Sequence, residues 1–186
     1  MNKSKYFKDL IPLVAICLVA SLLLAVFNMI TEGPIRENAD KEARETRQRI
    51  MPAAASFEEQ NVPEGLNTCF ASKDEGGNVI GYIVTKTVSG YGGEIELTLG
   101  ADLEGKITGL NVGGDNFSET AGLGAKSKDP EFTDQFMGKA TPLTLIKAGG
   151  TSAEDTIDAI SGATITSTAV VNGVNAMGEA ISALMQ

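Results

Sequence analysis

The chain has 186 residues, enough for one domain and a smaller element, with a net charge of −9 that disfavours nucleic acid and anionic surfaces as partners. It has no histidine, which excludes His-based acid–base catalysis, most catalytic zinc sites and His-ligated haem. Its two cysteines, Cys17 and Cys69, stand in no CxxC pair, so an iron–sulfur cluster or redox disulfide is not expected, and electron transfer would need a borrowed organic cofactor.

Residues 1–9 carry Lys3, Lys5 and Lys8, and the next stretch, 10–30, has no charged residue. As a helix it would span roughly 31 Å at about 1.5 Å per residue, the thickness of a bilayer core, so residues 10–30 are expected to sit in lipid. A cleaved signal is the alternative. Signal cores run about 7–15 residues and end in small side chains, whereas this run exits through Val26-Phe27-Asn28-Met29-Ile30. An uncleaved anchor is the reading adopted. The early lysines, against only Arg36 in the ten residues after the span, favour a cytoplasmic N-terminus and an extracytoplasmic remainder of a single-pass protein in a bacterial cell membrane. Lys41, Arg44, Arg47 and Arg49 follow closely, so the basic-residue count alone leaves orientation open.

Gly33-Pro34 should interrupt the chain, and residues 35–50 read as a charged helix with Glu37–Lys41 and Asp40–Arg44 at i,i+4. Residues 31–60 are read as a solvated stalk, with a partner-binding helix as the other possibility. Met51-Pro52 ends it. From Val62 the pattern changes to strands set off by glycine pairs, and 61–186 is read as the folded domain. In Glu94–Asp102, Ile95, Leu97, Leu99 and Ala101 alternate with Glu94, Glu96 and Thr98, a strand with one buried face. Together with 79–88 and 106–112 it predicts an antiparallel meander. A short helix is predicted over 130–137 and a strand over 143–148. From 164 to 185, Val170, Val174, Met177, Ile181 and Leu184 form one apolar helical stripe. The fold class is α+β: an N-terminal transmembrane helix, then a domain with a mainly antiparallel sheet and packed helices.

Before that last helix stands Asp158-Ala159-Ile160-Ser161-Gly162-Ala163-Thr164, followed by Ile165-Thr166-Ser167. A strand-to-helix turn with a hydroxyl N-cap would account for it. The position also suits a phosphate. Small residues at 161–163 let another molecule approach the backbone, and the first helical turn offers free N–H groups and a positive dipole end. Thr164, Thr166 and Ser167 add hydroxyls, with no acid in the first turns.

This run resembles the flavinylation motif of the FMN-binding domain family, whose members include the G subunit of Rnf electron transport complexes and the C subunit of sodium-pumping NADH:quinone reductases. Ser89-Gly90-Tyr91-Gly92-Gly93-Glu94-Ile95 resembles that family's glycine-rich strand entry, and Glu119-Thr120-Ala121-Gly122-Leu123-Gly124 its Glu-Thr-x-Gly-Leu-Gly loop. Position 121 departs from the Pro found in many relatives. Chain length and the arrangement of these two segments favour the Rnf member of the pair.

The resemblance implies an electron-carrier subunit bearing FMN on Thr164 through a phosphoester, attached by a separate flavin transferase from FAD, and working with the other subunits of a ferredoxin:NAD oxidoreductase. It makes Ser161, Gly162 and Ala163 recognition and clearance residues. Glu119, Thr120, Gly122, Leu123 and Gly124 would lie near the flavin ring or phosphate, with Thr166 and Ser167 beside the ester. The Tyr91-Gly92-Gly93 segment is a further candidate, with a plain turn into the strand as the alternative. Asp158 either positions the Thr164 hydroxyl during attachment or makes a turn hydrogen bond. No catalytic residue and no resident metal is expected.

Overall fold

The computed structural model describes residues 3–147, 149–150 and 153–185, with side chains described from Leu10. Residue 148 of the expected 143–148 strand, and the side chains of the early lysines, lie outside the described residues. The chain forms two compact units, Met1–Glu45 and Thr46–Gln186.

The first helix, α1 (Lys3–Ile50), is continuous through Gly33 and Pro34, so the expected interruption is corrected. Pro34 removes a hydrogen-bond donor and crowds the preceding turn, which costs about 3 kcal/mol or more in a helix interior. The helix-favouring run after it, with Arg36, Glu37, Ala39, Lys41, Glu42 and Ala43, carries the helix on. From Leu10 it is long and apolar enough to cross a membrane. In the charged part the ion pair that forms is Lys41–Glu45 at 3.9 Å rather than the two pairs expected. Both partners are solvated, and such pairs add little.

The second unit is built on a five-stranded antiparallel sheet, in the order β1 (Ser56–Glu59), β2 (Thr68–Lys73), β3 (Val79–Ser89), β4 (Glu94–Asp102) and β5 (Ile107–Gly113). Ile95, Leu97, Leu99 and Ala101 of β4 are buried, as their alternation predicts. They meet Val170, Val174, Met177 and Ile181 of α3 (Thr164–Leu184), the stripe legible in the sequence.

The opposite face is not solvated along its whole length, as the one-face reading of β4 required. Thr98 and Gly100 are also buried. Ile50, Met51 and Ala54 pack there on Ile83. A Cβ at Gly100 would stand 2.3 Å from Ile50 Cγ2, so the end of α1 reaches the sheet only because that side chain is missing. Arg47 lies over the Phe70 ring at 4.3 Å, extending this seat. The folded unit therefore begins at Thr46, inside the region expected to be stalk.

The expected helix at 130–137 divides into α2 (Pro130–Thr133) and a 3₁₀ turn, Asp134–Phe136. Phe132 and Phe136 pack edge to face at 5.5 Å within the core. Two short strands, β6 (Thr144–Ile146) and β7 (Thr156–Asp158), pair in parallel. Asn175 of α3 accepts the Leu143 N–H at 2.7 Å and donates to the Leu143 carbonyl at 2.8 Å, pinning the approach to β6.

Candidate flavin site

Three segments far apart in sequence meet at the N-terminal end of α3. They are the β3–β4 turn around Tyr91, the loop from Glu119 to Gly124, and the turn 160–163 with the first residues of the helix. Together they line a cavity of about 550 Å³, walled by Tyr91, by Glu119, Thr120, Leu123 and Gly124, and by Gly162 through Thr166.

The turn into α3 closes with the Ala163 N–H on the Ile160 carbonyl at 2.9 Å, with Gly162 at φ +77°. A residue with a side chain would be strained at that angle. The N-cap is Ala163, and no side chain caps the helix, so the simple hydroxyl-cap explanation of the segment fails. No acid occupies the first turn either. The result is an exposed Thr164 at a helix start whose amides are left to the cavity side, an arrangement that receives an anion. Among the described residues none holds the Thr164 hydroxyl in a hydrogen bond.

Glu119 organises the site. Its Oε1 accepts the N–H groups of Tyr91 at 2.7 Å and Gly92 at 3.0 Å, and its Oε2 accepts the Thr166 hydroxyl at 2.8 Å. Glu119 and Thr166 are both buried. Three donors on one carboxylate offset the loss of its hydration. Gly124 makes room for this arrangement, because a Cβ there would stand 2.1 Å from Glu119 Oε2 and 2.8 Å from Thr166 Oγ1.

Of the candidate site residues named from the sequence, Glu119, Thr120, Leu123, Gly124, Gly162, Ala163, Thr164 and Thr166 line this cavity. Four do not. Gly122 has φ +77° and shapes the loop behind the wall. Ser167 is buried, accepting the Ile160 N–H and donating to the Ala163 carbonyl, each at 3.0 Å, so it locks the turn. Asp158 and Ser161 face a separate cavity of about 240 Å³, with Lys126 and Gln135. Asp158 is held there by its own N–H, which donates to Gln135 Oε1 at 2.7 Å. Tyr91, from the glycine-rich segment also named as a candidate, and Ile165, which was not named, complete the main cavity. For Ile165 the signal was an apolar residue next to the motif threonine.

Residues 90–179 match the FMN-binding domain family, a range that contains every cavity residue. Across most of its length the chain is 38% identical to the G subunit of the Na(+)-translocating ferredoxin:NAD(+) oxidoreductase complex of Acetobacterium woodii, covering 91% of this chain and 88% of the relative. The chain belongs to the G-subunit family of ion-translocating oxidoreductase complexes. The corresponding protein of Methanosarcina acetivorans is 35% identical over 98% of both chains. The G subunit of the proton-translocating complex of Clostridium ljungdahlii is 31% identical over 89% of this chain and 86% of its own. Among solved structures, the C subunit of the Na(+)-translocating NADH-quinone reductase of Parabacteroides distasonis superposes with a TM-score of 0.51 at 27% identity. That match spans 61% of this chain and 60% of the other, and it establishes a shared fold for the domain.

Members of this family are membrane-complex subunits with an FMN-binding domain, and α1 supplies this one with its membrane anchor. The cavity fits that cofactor on its own terms. Tyr91, Leu123 and Ile165 give its lining apolar surface, Thr120 and Thr164 bring hydroxyls, and the uncapped start of α3 borders it.

Proposed function

We propose that this chain carries FMN esterified to Thr164 and passes electrons between other subunits of an ion-translocating ferredoxin:NAD oxidoreductase complex. The observation that carries this reading is the exposed Thr164 hydroxyl, without a partner among the described residues, at an uncapped helix start lining a cavity that lies within the FMN-binding domain match.

Attachment would be a phosphoryl transfer from FAD, catalysed by a separate flavin transferase. The Thr164 oxygen bonds to the FMN phosphorus, the anhydride bond to AMP breaks, and AMP leaves while the hydroxyl proton passes to a base of the transferase or to water. The chain's contribution is geometric. Gly162 and Ala163 leave the approach to the hydroxyl clear, and the helix amides favour the negative phosphate that remains. Asp158 and Ser161, on the other side of the same turn, support its shape in this reading rather than touching the flavin.

The flavin supplies reversible electron chemistry; the protein holds the ring, fixes its surroundings and keeps a local concentration that does not depend on a free pool. That logic suits a domain outside the cytoplasm, where a lost cofactor would not be replaced. We therefore place the N-terminus in the cytoplasm, residues 10–30 in lipid as a single span, and the folded unit on the extracytoplasmic side. The charged residues between anchor and folded unit act as a spacer. The relatives named above are G subunits of such complexes, which favours this assembly over a sodium-pumping quinone reductase.

The test is Thr164→Val, produced alongside wild type with an active transferase. Valine keeps the shape and lacks the oxygen. In-gel flavin fluorescence present in wild type and lost in the variant supports the reading; equal fluorescence in both contradicts it.

A further inference from the structure

The β3–β4 turn is held far more firmly than a connecting hairpin requires. Gly90 N–H closes it on the Gly93 carbonyl at 2.8 Å, and the Tyr91 and Gly92 N–H groups both reach Glu119 Oε1. The turn is pressed against the next loop so closely that a Cβ at Gly92 would stand 2.2 Å from the Ser118 carbonyl oxygen. Yet the side chain presented by this anchored backbone, Tyr91, is 70% exposed. A rigidly placed aromatic ring left in water gains nothing for the fold. Leu123, 42% exposed, and Ile165, 58% exposed, line the same cavity as Tyr91, together with Glu119, Thr120 and Thr166.

We propose that Tyr91 is the stacking wall of this site, lying against the flat ring system of the FMN carried by Thr164, with Leu123 and Ile165 covering its remaining apolar surface. The inference rests on the FMN reading above and goes beyond it by assigning the ring, rather than the phosphate, its partner. A planar heteroaromatic with polar edges matches a cavity lined by large apolar side chains and by Thr120 and Thr164. A group tethered at Thr164 already lies on the rim of the same cavity. Glu119 then acts as a positioning residue, since its oxygens are occupied by the turn and by Thr166 rather than open to the cofactor.

Among the described residues that line the cavity, Tyr91 is the one aromatic side chain. Stacked tyrosine quenches flavin emission by giving the excited ring an electron that then returns, which makes fluorescence lifetime the direct readout. The full-length chain, flavin-loaded and solubilised in detergent, is compared with Tyr91→Leu and Tyr91→Trp, with the flavin adduct in each verified by mass. The expected result is a several-fold longer lifetime in Tyr91→Leu and a short one retained in Tyr91→Trp. Lifetime is independent of the loaded fraction, so a variant that loads poorly is still informative. A Tyr91→Leu chain that carries flavin with the wild-type lifetime overturns the stacking assignment alone. A wild-type chain that carries no flavin overturns the FMN reading, and the assignment with it.

Discussion

Glu119 Oε2 accepts the Thr166 hydroxyl at 2.8 Å, tying the loop after β5 to the first turn of α3 across 47 residues of sequence. The same carboxylate holds the β3–β4 turn through its other oxygen, so one side chain fixes all three walls of the cavity. Thr166→Val removes the donor and leaves a buried carboxylate oxygen unsatisfied. Stability should fall by about 1–3 kcal/mol, while Thr166→Ser, which keeps the hydroxyl, should lose much less. Denaturant unfolding of the full chain in detergent checks both, and equal losses would show that the hydroxyl is not what matters.

Gly100 provides the second stability test. Its replacement by Ala places a methyl 2.3 Å from Ile50 Cγ2 and 2.7 Å from Thr108 Oγ1, so these side chains or the backbone behind them must shift. Overpacking of this kind costs about 1–3 kcal/mol. Because the tighter of its two clashes is with Ile50, the other being with Thr108 Oγ1 at 2.7 Å, Gly100→Ala combined with Ile50→Ala should lose less than the sum of the single losses. Simple additivity in unfolding measurements would mean that the two positions do not meet.

Cys69 lies fully buried in β2, and burial pushes its thiol above the usual cysteine range. Both effects suppress thiolate at neutral pH. In the folded chain a Cys17→Ser background should therefore resist iodoacetamide and become labelled only once denaturant opens the sheet. Rapid labelling without denaturant, followed by mass, would contradict the placement of β2.

A fourth prediction concerns the link between β6 and the last helix. Asn175 satisfies both backbone groups of Leu143, so Asn175→Ala leaves a donor and an acceptor unpaired in a partly buried position. A loss of about 1–3 kcal/mol is expected, again read by unfolding, and a change within experimental scatter would count against this connection.

Where periodicity ran long enough, the sequence disclosed the architecture. The apolar positions of β4 and the stripe of α3, apart from half-buried Leu184, are buried as read, because each spans enough residues for its period to emerge. β1 has four residues, and β6 and β7 three each, too short for any period to show, and the parallel pairing of the last two depends on the intervening loop. The passage of α1 through Pro34 was hidden because a local helix breaker is outweighed by the run around it. In the site, the glycine-rich segments and the helix start were visible as motifs. Their junction was not. Nothing near Glu119 in sequence reveals that its partners stand at positions 91, 92 and 166, and nothing near Asp158 reveals that Gln135 holds it on the other side of the turn.

The ester itself is the most direct point of attack. The full-length chain, produced with an active flavin transferase and FAD, is digested, and the peptide containing Thr164 is weighed and fragmented. The account predicts a gain equal to one FMN less one water, localised to Thr164. An unmodified peptide, or the same gain on another residue, would contradict it.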